Sequence, residues 1–151
     1  MDLTFSDRGF GPSNHSFNSI EEGQEFKRTY RLSSEVHATF IEAFGDRSPI
    51  HVDAEYARSA GFPGPVMHGT ILNGFLSHFV GMVFPGRSAF LLSVDLRYHH
   101  PAFMDDQVEL TVKVKQKIES RHVLLLHVGF ARCQDQTVLA DGKVTVMVRD
   151  V

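Results

Sequence analysis

Apolar residues along this chain are spaced for a helix in one stretch, crowded together in a second and strand-like in the last third. Residues 25–32 read as a first strand. After them Val36, Phe40, Ile41 and Phe44 recur at helical spacing and would share one face. Ser33 or Ser34 can cap that helix. Glu35 stands in its first turn, where the dipole favours a negative charge, and Gly45 is a natural terminator. Pro49 lacks a backbone donor and pushes Ser48 to an extended conformation, so residues 46–51 are expected to form an irregular loop rather than more helix. Asp53 can cap a short helix that Gly61 stops, and Phe62-Pro63-Gly64-Pro65 makes a second rigid turn.

The densest apolar stretch is residues 69–83, where Ile71, Leu72, Phe75, Leu76, Phe79 and Val80 cover more than one face. A helix that is apolar nearly all round is a buried one. Gly74 and Ser77 are small enough to let another element approach it, and Pro85-Gly86 ends it. Residues 90–99, 107–118, 123–133 and 138–148 then read as strands, with Gln134-Asp135-Gln136 suited to a hairpin turn. Strands in succession after a buried helix predict an antiparallel sheet wrapped around that helix, an α+β architecture. Residues 1–18 are rich in Gly, Ser, Asn and Asp and read as a flexible N-terminal arm, which leaves residues 19–151 as one domain able to bury a real core.

Composition narrows the function classes. Thirteen Phe and no Trp give rings without a polar atom, which suit a greasy core or a pocket for an acyl chain, with core packing the expected place for most of them. A formal net charge of −3 argues against a general nucleic-acid binder. No apolar run is long enough to span a membrane, and residues 1–10 lack the apolar centre of a secretory signal. Cys133 is the single cysteine, which excludes an internal disulfide and fits a cytoplasmic location.

Two short segments could carry chemistry. Asp46 and His51 flank a proline-stiffened stretch, and a carboxylate and an imidazole held there can address one water from two sides. That chemistry needs the carboxylate partly desolvated, and Phe44, Ile50 and Phe62 are the nearby apolar residues that could do this. The same spacing also describes a turn-forming Asp and a surface His. The second segment, Val66-Met67-His68-Gly69, opens the buried helix, whose first N–H groups have no internal partners and can face a developing oxyanion. Every helix start shares that property. His99 and His100 lack the further ligands of a metal site, Ser77 and Ser93 lack a nucleophile elbow, and no base stands near Cys133 in sequence. No phosphate-cradling loop is present.

The order of these segments resembles a known family. Phe44-Gly45-Asp46-Arg47-Ser48-Pro49-Ile50-His51, then Ala60-Gly61-Phe62, then Val66-Met67-His68-Gly69 and the helix with Ser77 are similar to the MaoC-like (R)-specific enoyl-CoA hydratases. Residues 96–106, with Pro101 and the acidic pair Asp105-Asp106, extend the likeness, which runs from about residue 23 to the end. The resemblance implies a single hot-dog fold that hydrates trans-2-enoyl thioesters reversibly. It makes Asp46 and His51 the catalytic acid–base pair and Gly69 the backbone oxyanion donor. Ser77 would be a hydrogen-bond partner of the carboxylate, and Ser48 and His68 would be substrate-binding residues. The family often has Asn where this chain has Ser48, and serine lacks the amide's two donors. An acyl-CoA or acyl-carrier-protein thioester is the implied substrate, with no cofactor or metal, and a homodimer the implied assembly. A hot-dog thioesterase is the rival enzyme, but residues 70–84 hold none of the acidic groups it would place on the central helix. A non-catalytic, thioester-binding subunit of a heteromeric dehydratase is the other rival, and the presence of both Asp46 and His51 speaks against it.

Overall fold

A computed structural model describes residues 11–149. Five strands, β1 (Glu25–Arg31), β2 (Ala89–Tyr98), β3 (Gln107–Ile118), β4 (Val123–Arg132) and β5 (Val138–Val148), form one sheet in the order β1-β3-β4-β5-β2. All neighbouring pairs are antiparallel. Four helices precede β2: α1 (Ser34–Phe44), α2 (Pro49–Val52), α3 (Ala54–Ser59) and α4 (Ile71–His78). A π-helical turn, Phe79–Val83, prolongs α4. The sheet curls around α4 in the hot-dog arrangement, an α+β fold.

Period-two burial builds the inner face of the sheet. Val108, Leu110 and Val112 on β3, Leu124 and Val128 on β4, and Val146 on β5 are fully buried. They meet Leu72, Leu76, Phe79 and Val80 of α4 and its extension in one core. Each fully buried large aliphatic side chain contributes about 1.5–3 kcal/mol, so this single seam supplies most of the drive to fold. Among the described residues no helix is long and apolar enough to cross a membrane.

The structure differs from the sequence reading at three places. Pro49 does not simply break the chain: it starts α2 as the first helical residue, where a missing N–H forfeits no hydrogen bond. Only residues 45–48 stay irregular. The long helix begins at Ile71 rather than residue 69 and leaves α-geometry after His78. The segment read as a flexible arm enters the described residues at Gly11, and residues 1–10 lie outside them. From Ser13 it is anchored: the Ser13 N–H donates to the Met82 carbonyl at 3.0 Å, and the His15 N–H donates to the Pro85 carbonyl at 3.0 Å. Phe17 is fully buried and stacked on His122. Phe17 stands between Ser16 and Asn18 in a polar stretch, too sparse a signal for composition to reveal that docking.

Candidate active site

Gly45 ends α1 in the left-handed region at φ 72°, with its N–H on the Ile41 carbonyl, and turns the chain so that Asp46 follows directly. The Ser48 N–H donates to Asp46 Oδ1 at 3.1 Å, closing a local turn. The short helix α2 then presents His51. Its Nδ1 lies 2.6 Å from the Val66 carbonyl, and because a carbonyl only accepts, Nδ1 carries the proton. The lone pair of the neutral ring is therefore on Nε2. Val66 in turn donates its N–H to the Ile50 carbonyl at 3.0 Å, so the two segments are stitched together on both sides of His51.

His68 lies behind this pair. Its ring stacks on that of His51 with centroids 3.8 Å apart and packs against Phe40 at 4.5 Å. Its Nε2 donates to the Asp46 main-chain carbonyl at 3.0 Å and sits 3.5 Å from the Asp46 carboxylate. A third ring, His37 of α1, donates from Nε2 to the His51 carbonyl at 3.0 Å. Three histidines thus each tie one ring N–H to a backbone carbonyl, which locks the loop between α1 and α3. His37 went unnoticed in the sequence, although a histidine three residues before Phe40 on an apolar helical face was the available signal.

Burial holds the His68 pKa below the usual histidine range, against weaker opposing pulls from the Asp46 carbonyl and carboxylate. The unfolded chain therefore binds a proton that the folded chain refuses as pH falls below about 6.5. Stability is complete above that pH and declines as pH drops toward the folded-state value. A His68→Gln variant, which keeps an amide donor for the Asp46 carbonyl, should show a flatter fall in melting temperature between pH 7 and pH 5. Parallel melting curves for wild type and variant would refute this.

Asp46, His51 and His68 each bring one potential ligand atom within 4.8 Å of the others. Stacked rings, however, aim their in-plane lone pairs side by side and not at a common point, which suits a metal poorly. The set is better fitted to moving protons. Gly69 follows directly, and its N–H has no hydrogen-bond partner among the described residues. An added Cβ there would stand 3.1 Å from the ring of Tyr98, which would have to give by a few tenths of an ångström.

The structure brings Asp46, His51, His68 and Gly69 together. Ser48 contributes its N–H, while its exposed hydroxyl makes no cap. Ser77 is exposed on α4 and does not bond the Asp46 carboxylate, whose neighbours are the Ser48 N–H and His68. The apolar cover expected over Asp46 is not in place within one chain. Its side chain is 51% exposed, and Phe44, the nearest aromatic in sequence, is 73% exposed.

Two clefts meet at this point, and both are lined by Asp46 and Thr70. One, of about 1280 Å³, runs between α1 and α4 with mostly carbon walls that include Val36, Phe40, Phe75 and Met82. The other, of about 500 Å³, is bounded by His51, His68, Gly69, Tyr98 and His99.

Comparison with known proteins agrees with this fold. The profile of the family described as "MaoC like domain" matches residues 16–129. An (R)-specific enoyl-CoA hydratase of Aeromonas caviae is 29% identical over 111 residues, covering 74% of this chain and 83% of that protein. A 3-hydroxybutyryl-CoA dehydratase of Methylorubrum extorquens is 31% identical over 105 residues, covering 70% of this chain and 67% of that protein. Among solved structures, the unliganded R-hydratase PhaJ1 of Pseudomonas aeruginosa superposes with a TM-score of 0.86 at 24% identity, over 93% of this chain and 89% of its own. That likeness is one of fold.

Proposed function

Because this chain belongs to the family of MaoC-like domains, we propose that it reversibly hydrates a trans-2-enoyl thioester to the (R)-3-hydroxyacyl thioester. Its named relatives are hydratases and dehydratases, and hydro-lyase is the class of this enzyme. The observation that carries the specific reading is the approach of the Asp46 carboxylate to the ring of His51, whose Nδ1–H is fixed on Val66. A water between them meets a carboxylate on one side and the Nε2 lone pair on the other.

The reaction then runs as follows. The thioester carbonyl oxygen accepts from the Gly69 N–H, which draws electrons from the double bond and makes Cβ electrophilic. Asp46 and His51 together take one proton from the water as its oxygen bonds to Cβ. The π electrons move to Cα and the carbonyl, and a proton returned by the pair goes to Cα. The thioester itself stabilises the developing enolate, so the chemistry draws on no cofactor. The larger, carbon-walled cleft suits the acyl chain, and the smaller one, beside His51 and Gly69, suits the pantetheine arm of coenzyme A or an acyl carrier protein.

A spectrophotometric assay with crotonyl-CoA and longer trans-2-enoyl-CoAs tests this, read as loss of the enoyl absorbance. Release of free thiol instead would replace the hydratase by a thioesterase. Neither signal across the series would remove the reading. The acidic residue a thioesterase would need is missing from residues 70–84.

The same reading includes a homodimer. Among the described residues strand β2 is a sheet edge, and Phe90, Leu91 and Leu92 on it are 53%, 40% and 50% exposed. An unpaired apolar edge is a template for a second copy of the same strand. Light scattering should return twice the 17.0 kDa chain mass, and a Leu92→Glu variant should return one copy. A wild-type monomer at micromolar concentration would overturn this part. The reading also places the enzyme in the cytoplasm, where a chain with a single cysteine is ordinary, and co-fractionation with a cytosolic marker tests that.

A further inference from the structure

We propose that Tyr98 and Asn73 form a specificity bar that excludes thioesters with a substituent on the carbon next to the carbonyl. The inference rests on the hydratase reading for the position of the substrate carbonyl.

Tyr98 is the last residue of β2 and Asn73 lies near the start of α4. The Tyr98 hydroxyl donates to Asn73 Oδ1. Tyr98 is 46% exposed, so core packing does not fix its ring and this hydrogen bond does. Its anchor is good, because Asn73 sits between the fully docked residues Leu72 and Leu76 of the buried helix.

The bar crosses the place where the two clefts join. Tyr98 lines the smaller cleft, Asn73 lines the carbon-walled cleft, and Asp46 and Thr70 line both. A thioester with its acyl chain in one cleft and its carrier arm in the other must pass there. The Tyr98 ring packs against Gly69, with Cδ1 and Cε1 at 3.1 and 3.2 Å from where a Cβ would stand. A carbonyl on the Gly69 N–H therefore puts its neighbouring carbon beside that ring. A planar, unbranched enoyl group can slide past it. A methyl on Cα would need the ring to move, and the bond to Asn73 holds it.

A hydrophobic site commonly distinguishes one methyl group by about 10–200-fold. Two measurements read the bar. Calorimetry gives Kd for butanoyl-CoA and 2-methylbutanoyl-CoA, which are saturated and do not undergo hydration. Kinetics give kcat/KM for crotonyl-CoA and 2-methyl-trans-2-butenoyl-CoA. The wild type should favour the unbranched member of each pair by about 10-fold or more. Tyr98→Ala should bring both ratios to about 2-fold or less. Tyr98→Phe keeps the ring and loses only the bond, and should give intermediate ratios, as should Asn73→Ala. Combining Tyr98→Phe with Asn73→Ala should add nothing, because both remove the same bond.

A strut that merely joins β2 to α4 would lower the melting temperature and leave both ratios where they were. Ratios unchanged in Tyr98→Ala, or no preference in the wild type, would overturn the bar. If the wild type hydrates no enoyl thioester but the Kd ratios follow the pattern, the hydratase reading falls and the bar stands.

Discussion

Replacing Asp46 by Asn should lower kcat by about 10²–10⁴-fold, with little change in KM or melting temperature. The substitution keeps size and shape. The Asn carbonyl can still accept the Ser48 N–H, and the Asp46 main-chain carbonyl still receives His68, so the loop retains both ties. The side chain is half in solvent, which makes its loss cheap for folding. What disappears is a group that can take up and return a proton. His51→Ala should fall in the same range. The double variant should be scarcely worse than either single one, since in the proposed mechanism the two groups handle one water as a unit. The assay is initial rates on crotonyl-CoA beside thermal melts. A kcat within threefold of wild type for Asp46→Asn would mean that the water is activated elsewhere.

The exposure of Asp46 bears on that prediction. A carboxylate serving as a proton carrier near neutral pH needs relief from water, and a single chain does not supply it. Closing the site falls to the bound acyl chain, to a second copy of the protein, or to both. Full activity is therefore expected of the homodimer, and the Leu92→Glu variant that tests assembly should also lose turnover.

Much of the fold was legible because burial imposes a period. Val108, Leu110 and Val112 alternate with polar neighbours, and the apolar crowding of α4 foretold the burial of Ile71, Leu72 and Leu76, although Gly74 and Ser77 leave the helix one exposed side. Pro49 was ambiguous in principle, since a proline that ends one helix is equally suited to begin the next. The pairing of Asp46 with His51 was visible as a spacing and as a family likeness. The groups that orient it were not. Val66 contributes only its main-chain carbonyl, and a backbone atom has no residue-type signature. Tyr98 and Asn73 are 25 residues apart, and nothing in either neighbourhood announces the other. The arm at Ser13 to Phe17 was misread for a related reason, because its anchors at Met82 and Pro85 are also main-chain carbonyls.

Arg132→Met should destabilise the protein by about 3 kcal/mol, at the lower end of the cost of breaking a buried ion pair. Arg132 ends β4 and makes three contacts at once. Its Nε donates to Asp106 Oδ2 at 3.0 Å, Nη2 to the Pro101 carbonyl at 2.8 Å, and Nη1 to Asp135 Oδ2 at 3.2 Å. The Arg132 and Asp106 side chains are only 13% and 15% exposed, so removing the cation strands a carboxylate that water reaches poorly. Asp106 Oδ2 also receives the Phe103 N–H at 2.9 Å, and the strain would pass into the turn after β2. That turn backs the active site: Ala102 accepts the Met67 N–H at 2.8 Å, and Phe103 bridges to Val66, the acceptor of His51. At about 2–4 °C per kcal/mol for a chain of this size, the melting temperature should drop by about 10 °C. Arg132→Lys should fall between, because an ammonium cannot span three acceptors held in a fork. Asp135→Asn should barely register, since that carboxylate is half exposed and its pairing is screened. Arg132→Met melting within about 2 °C of wild type would mean that desolvating the pair cancels its attraction. The turn, and with it the carbonyl that orients His51, would then be held by its backbone bonds, Met67 to Ala102 and those that join Leu32 to residues 105 and 106.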